Sequence, residues 1–93
     1  MVYVYMIKNE YGELYTGVSE NPQKRVHHHN HNQGAQYTKR GGIFALVFLE
    51  EYPTLTDARK REIQIKKWRR EKKEKLIELY NLGKETKTKS GIN

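Results

Sequence analysis

At 93 residues the chain has room for one small domain, since two independent cores would each fall below the size at which folding buries most of the surface. Its 18 Lys and Arg against 11 Asp and Glu give a formal charge of +7, which draws it towards polyanions such as nucleic acid or an anionic membrane surface. The absence of cysteine excludes disulfide scaffolds, thiolate-held metals and thiol nucleophiles. With no apolar run approaching the roughly 20 residues of a membrane span, the expected address is cytoplasmic.

Val2 to Lys8 (VYVYMIK) is β-branched and aromatic on both alternating faces, the pattern of a strand buried on both sides. Asn9-Glu10-Tyr11-Gly12 is turn chemistry, and Leu14 to Ser19 alternates again, so the two runs read as a hairpin with Tyr5 and Tyr15 facing one another. Asn21-Pro22 supplies an N-cap and a first-turn proline for a helix expected to reach His31. Asn32 to Gly42 is a loop with three glycines, and Ile43 to Glu51 (IFALVFLEE) is the third strand. Thr54 or Thr56 caps a helix through about Arg69, and a second helical stretch covers Glu71 to Tyr80. The domain is expected to occupy residues 1–82. Residues 83–93 are basic, hold Ile92 as their one large apolar side chain besides alternating polar residues, and read as a disordered tail.

Three features bear on chemistry. Arg59 to Lys75 holds ten basic residues against three acids, an excess of seven that equals the charge of the whole chain, so one helical region generates the field. Within it Lys66, Lys67, Arg69 and Arg70 are the expected nucleic-acid contacts, against the alternative of a solvated face with pairs such as Glu62–Lys66 and Glu71–Lys75. At about 100° per residue Ala58, Glu62, Ile65 and Arg69 share about a 60° sector, which puts Glu62 on the stripe that packs on the sheet. A carboxylate there needs a partner, for which Arg25 and Arg61 are available, or a metal. Arg25 and His29, at i,i+4 on the first helix, can reach the same phosphate. The surrounding tract also offers His27 and His31 as a pair for Zn²⁺ or Ni²⁺. Gly12 to Gly17 has the glycine spacing of a phosphate loop, but Val18 stands where lysine is required and no helix starts there. Ser19 and Ser90 lack a nucleophile-elbow context, so acyl transfer is unsupported. With ten Glu and the single Asp57, a cluster of aspartates holding two metals is also unsupported.

Taken in order, Tyr3-Val4-Tyr5, Tyr15-Thr16-Gly17, Arg25, His29 and Glu62 resemble the GIY-YIG nuclease superfamily. The segments YVYMIKN, ELYTGVSENPQKRVHHHN, GAQYTKR and ARKREIQIKKWRREKKEKLI are similar to its small stand-alone UPF0213 or URI-type members, over about residues 2–81. Tyr3 stands in place of the first motif's Gly and Thr16 in place of the second motif's Ile, both at packing positions. The resemblance implies an α+β fold, a small three-stranded antiparallel sheet flanked by helices. It also implies a divalent-metal-dependent endonuclease in which Tyr5 and Tyr15 position or deprotonate water, Arg25 contacts the scissile phosphate and His29 assists. Glu62 would hold one Mg²⁺ or Mn²⁺ with water as the remaining ligands, and DNA is expected ahead of RNA. The alternative is a nucleic-acid-binding module on the same scaffold that does not cleave.

Overall fold

The computed structural model describes residues 1–33 and 42–87; most of the expected glycine loop, with Tyr37, and residues 88–93 of the expected tail lie outside them. Strands β1 (Val2–Asn9), β2 (Leu14–Ser19) and β3 (Phe44–Tyr52) form an antiparallel sheet in the order β2-β1-β3. Helix α1 (Pro22–His28) covers one face, and α2 (Leu55–Lys66) and α3 (Arg70–Asn81) cover the other. The expected α+β architecture is the observed one.

β1 is central, and both of its faces are buried. Val2, Val4 and Met6 join Phe48 and, from the helices, Ala58, Ile65, Leu76 and Ile77. Tyr5 and Ile7 join Phe44, with Val26 of α1 packed against them. Phe44 and Phe48 are four residues apart and in a regular strand would share a face. Met6 pairs with Phe48 but Ile7 pairs with Leu46, so Val47 is an extra residue. This bulge turns Phe44 into the α1 layer while Phe48 stays under α2 and α3.

The connections are held by side chains that replace missing backbone partners. Asn9 Oδ1 accepts from the N–H groups of Tyr11 (3.1 Å) and Glu13 (2.8 Å), and Gly12 adopts the left-handed φ of +81° that closes the hairpin. Arg70 donates to the carbonyl of Gly12 and tethers the start of α3 to this turn. Asn21 Oδ1 caps α1 through the N–H of Lys24 (3.1 Å), with Pro22 at the first helical position. The helix ends at His28, short of the expected His31, and continues as a π-helical turn over His29–Gln33. There Asn30 clamps the start of β3: its Nδ2 donates to the carbonyl of Phe44 and its Oδ1 accepts from the same residue's N–H, both at 2.9 Å. Of the two threonines offered as caps it is Thr54 that accepts from the N–H of Asp57 (3.2 Å).

α2 stops at Lys66 instead of about Arg69, because the chain turns at Trp68, over whose ring lie the Arg61 guanidinium (5.2 Å) and Lys72 (4.4 Å). Arg69 therefore falls outside the helix and is exposed, unlike Ala58, Glu62 and Ile65, which do form the buried stripe. Arg61 is also buried, and it does not pair with Glu62. It meets Glu50 of β3 with both ends of its fork, Nε to Oε1 at 2.9 Å and Nη2 to Oε2 at 3.1 Å. Its remaining N–H groups reach Gln64 Oε1 (2.7 Å) and the carbonyl of Thr86 (3.1 Å). Tyr52 donates to Glu50 (2.8 Å), and burial together with that carboxylate pushes its phenol well above the ordinary value. Residues 83–87, read from sequence as the start of the tail, lie against this network: Lys87 donates to the carbonyl of Glu51 and sits 4.3 Å from the ring of Tyr52. Of the two expected i,i+4 pairs, Glu62–Lys66 forms; Glu71–Lys75 does not appear among the described residues.

Truncating Arg61 leaves the Glu50 carboxylate, side chain 1% exposed, without its counter-charge. Arg61→Ala is expected to cost about 3–5 kcal/mol in urea unfolding, and adding Glu50→Gln is expected to restore part of that loss. A cost under about 1 kcal/mol would show that the pair is not what joins α2 to β3.

Candidate active site

The antiparallel register decides how the two tyrosines meet. Tyr5 pairs with Gly17 and Ile7 with Tyr15, so Tyr5 and Tyr15 lie diagonally on the α1 face of the sheet and do not sit opposite one another as expected. The pairing of Tyr5 with a glycine has a steric reason. A Cβ at Gly17 would stand 2.6 Å from the phenol oxygen of Tyr5 and 2.7 Å from its Cζ, so the ring lies across the bare backbone of β2. Tyr5 is thereby almost wholly buried at 2% exposure, whereas Tyr15, on the edge strand, is 38% exposed. Thr16 points to the other face, buried opposite Met6, which agrees with its reading as a packing position.

α1 and its π-helical continuation bring the other two side chains. Tyr5, Tyr15, Arg25 and His29 all line one cavity of about 600 Å³, together with Ile7, Ser19, Glu20, Asn21, Lys24 and His28. Arg25 is exposed; His29 is buried. The His29 ring packs edge-on against Phe44, with centroids 4.7 Å apart, and lies 6.0 Å from the ring of Tyr15. The π turn, the Asn30 clamp and the β3 bulge together determine this placement, since they seat His29 against Phe44. Loss of solvent holds the His29 imidazole below its ordinary 6.5, so it is neutral at pH 7.

Glu62 lies elsewhere. It is on α2, which packs over β2 and β1 on the opposite face of the sheet, and it is not among the residues lining the cavity. Its carboxylate is nearly buried, with Lys66 Nζ 3.0 Å from one oxygen and Arg59 Nη1 3.7 Å from the other. Both cations are more than half exposed, and a hard cation taking the carboxylate as its single protein ligand, with water completing the shell, would replace these two ion pairs. No group of three His, Asp or Glu able to hold a metal occurs among the described residues. His27 and His31 do meet, with ring centroids 4.3 Å apart, as an exposed pair.

The four basic residues expected to contact nucleic acid divide into two kinds. Lys66 is paired with Glu62, and Arg70 is engaged by Glu74 (2.7 Å) and by the carbonyl of Gly12. Lys67 and Arg69 are exposed, with no carboxylate partner among the described residues.

A family model described as the GIY-YIG catalytic domain matches residues 1–75. The chain belongs to the GIY-YIG family. It is 45% identical over 75 residues to UPF0213 proteins of Staphylococcus saprophyticus and Staphylococcus aureus, covering 81% of this chain and 92% of each of theirs. The solution NMR structure of a UPF0213 protein from Bacillus halodurans superposes with a TM-score of 0.55 at 35% identity, over 85% of each chain. GIY-YIG membership places the chain in a superfamily of nucleases and implies nucleic acid as the class of substrate. GIY-YIG nucleases generally use a divalent metal. No helix among the described residues is long and apolar enough to cross a membrane.

The lowered pKa of His29 has a measurable consequence. Below pH 6.5 the unfolded chain binds a proton at this position that the folded chain resists, so the stabilisation from neutral His29 is present above 6.5 and lost as pH falls. The urea midpoint is expected to drop between pH 7 and pH 5, and His29→Phe is expected to flatten that drop. An unchanged drop in His29→Phe would place the responsible group elsewhere.

Proposed function

We propose that this GIY-YIG protein is a divalent-metal-dependent endonuclease that hydrolyses phosphodiester bonds, with DNA as the first substrate to test. The observation that carries the reading is the convergence of Tyr5, Tyr15, Arg25 and His29, from four successive elements, on one cavity. Phosphodiester hydrolysis needs a water aligned with the phosphorus, neutralisation of the charge gathering on the phosphoryl oxygens, and a stabilised leaving oxygen.

The side chains suit these tasks in distinct ways. Arg25, exposed on the cavity wall, offers its fork of N–H donors to the scissile phosphate. The exposure of Tyr15 supports it as the tyrosine that touches the attacking water, while the buried Tyr5, held over Gly17, orients the water or its neighbour. His29, neutral at pH 7, accepts a hydrogen bond or a proton there without adding charge. Glu62 would hold one Mg²⁺ or Mn²⁺ on the face of the sheet opposite the cavity, where the ion would supply positive charge to the nucleic acid away from the phosphate held by Arg25. Lys67 and Arg69 extend the contact along the backbone of the nucleic acid.

A second reading, a binding module that does not cleave, is favoured by one observation: Glu62 is ion-paired and stands off the cavity wall. Incubation with single-stranded, duplex and branched DNA and RNA, with Mn²⁺ or Mg²⁺ and with EDTA, separates the two. Metal-dependent cleavage is expected, reduced at least about 100-fold in Arg25→Ala with thermal melting unchanged, and lost in Glu62→Gln while binding persists. Intact cleavage in Arg25→Ala would remove the catalytic assignment, and binding without cleavage under every condition would establish the binding module.

A further inference from the structure

Tyr5, Tyr15, Arg25 and His29 take up only part of the cavity lining. Another part of it is formed by Ser19, Glu20, Asn21, Lys24 and His28. Two oxygens here already accept backbone donors, Ser19 Oγ from the N–H of Asn21 (3.0 Å) and Asn21 Oδ1 from the N–H of Lys24 (3.1 Å). That leaves the Ser19 hydroxyl proton, the Asn21 amide protons and the Lys24 ammonium as donors. Among the described residues no carboxylate pairs with Lys24, and the one acid on the wall, Glu20, is exposed.

The helix repeats its pattern one residue back. Arg25 and His29 stand one turn apart, and so do Lys24 and His28, so two cation–imidazole rows run side by side into the same cavity. A wall of several donors beside a phosphate site suits a second anion joined to the first.

We propose that Ser19, Asn21, Lys24 and His28 form a second phosphate subsite, which takes the backbone phosphate adjacent to the one bound by Arg25. This assignment rests on the nuclease reading for the identity of the first phosphate, but its test requires neither metal nor cleavage. The subsite makes two consecutive phosphates the minimal recognition unit, and Lys24 the residue that senses the second of them. Glu20, at its edge, opposes binding by its charge.

Isothermal titration in EDTA of the full chain with thymidine 3′,5′-bisphosphate and with thymidine 5′-monophosphate tests it. The wild-type chain is expected to bind the bisphosphate at least about fivefold more tightly. In Lys24→Gln that ratio is expected to fall to about one with monophosphate binding unchanged; in Glu20→Gln it is expected to rise. Arg25→Gln is expected to weaken both ligands. Equal affinity for the two ligands in wild type, or a ratio that survives Lys24→Gln, overturns the subsite. A chain that shows the ratio yet cleaves no nucleic acid keeps the subsite and loses the nuclease reading; one that cleaves but shows no ratio loses the subsite alone.

Discussion

β1 sends Val2, Val4 and Met6 into one layer and Tyr5 and Ile7 into another, so this one strand has to be packed from both sides at once. In a chain of 93 residues neither layer is large, and each depends on the other to keep β1 in register. The bulge at Val47 answers this demand by giving β3 one phenylalanine for each side. α2 and α3 close the first layer, with Arg61 and Glu50 joining helix to strand. Among the described residues the second layer is closed by α1, a seven-residue helix, and by its π-helical continuation, and it stays open enough to contain a cavity.

The site follows from that asymmetry. Tyr5 is held where the thin layer meets the sheet because Gly17 gives it room, and His29 is held there because Phe44 and Asn30 seat the π turn. Arg25, Lys24 and His28 remain on the open side, facing the cavity. Charge is distributed with the same economy. Part of the basic run from Arg59 to Lys75 is used internally, Arg61 on Glu50, Lys66 on Glu62 and Arg70 on the hairpin turn, which, of the four expected contacts, leaves Lys67 and Arg69 outward.

Strand and helix positions were legible in the sequence because periodicity and caps are local: β2 spans the expected residues, and β1, β3 and α3 differ by a residue or two at their ends. The α1 end and the α2 end were misplaced for non-local reasons, the first by the clamp that Asn30 makes on Phe44 and the second by the packing of Trp68. The Arg61–Glu50 pair went unseen because Glu50 sits in an apolar strand run with nothing nearby in sequence to mark its partner. A hidden bulge left no signal in IFALVFLEE, and without it the seating of His29 against Phe44 cannot be read. Tyr5, Tyr15, Arg25 and His29 were legible as a set through the family resemblance; their meeting at one cavity required the register and the helix path.

In the proposed function nucleic acid enters the cavity between α1 and the sheet and does not merely coat the basic helices. Backbone amide shifts of the ¹⁵N-labelled chain, titrated with a short single-stranded oligonucleotide in EDTA, test it most directly. The largest changes are expected on Tyr15, Ser19, Lys24, Arg25 and His29, with smaller ones at Lys67 and Arg69. Changes confined to residues 59–75, with the cavity residues unmoved, would contradict it.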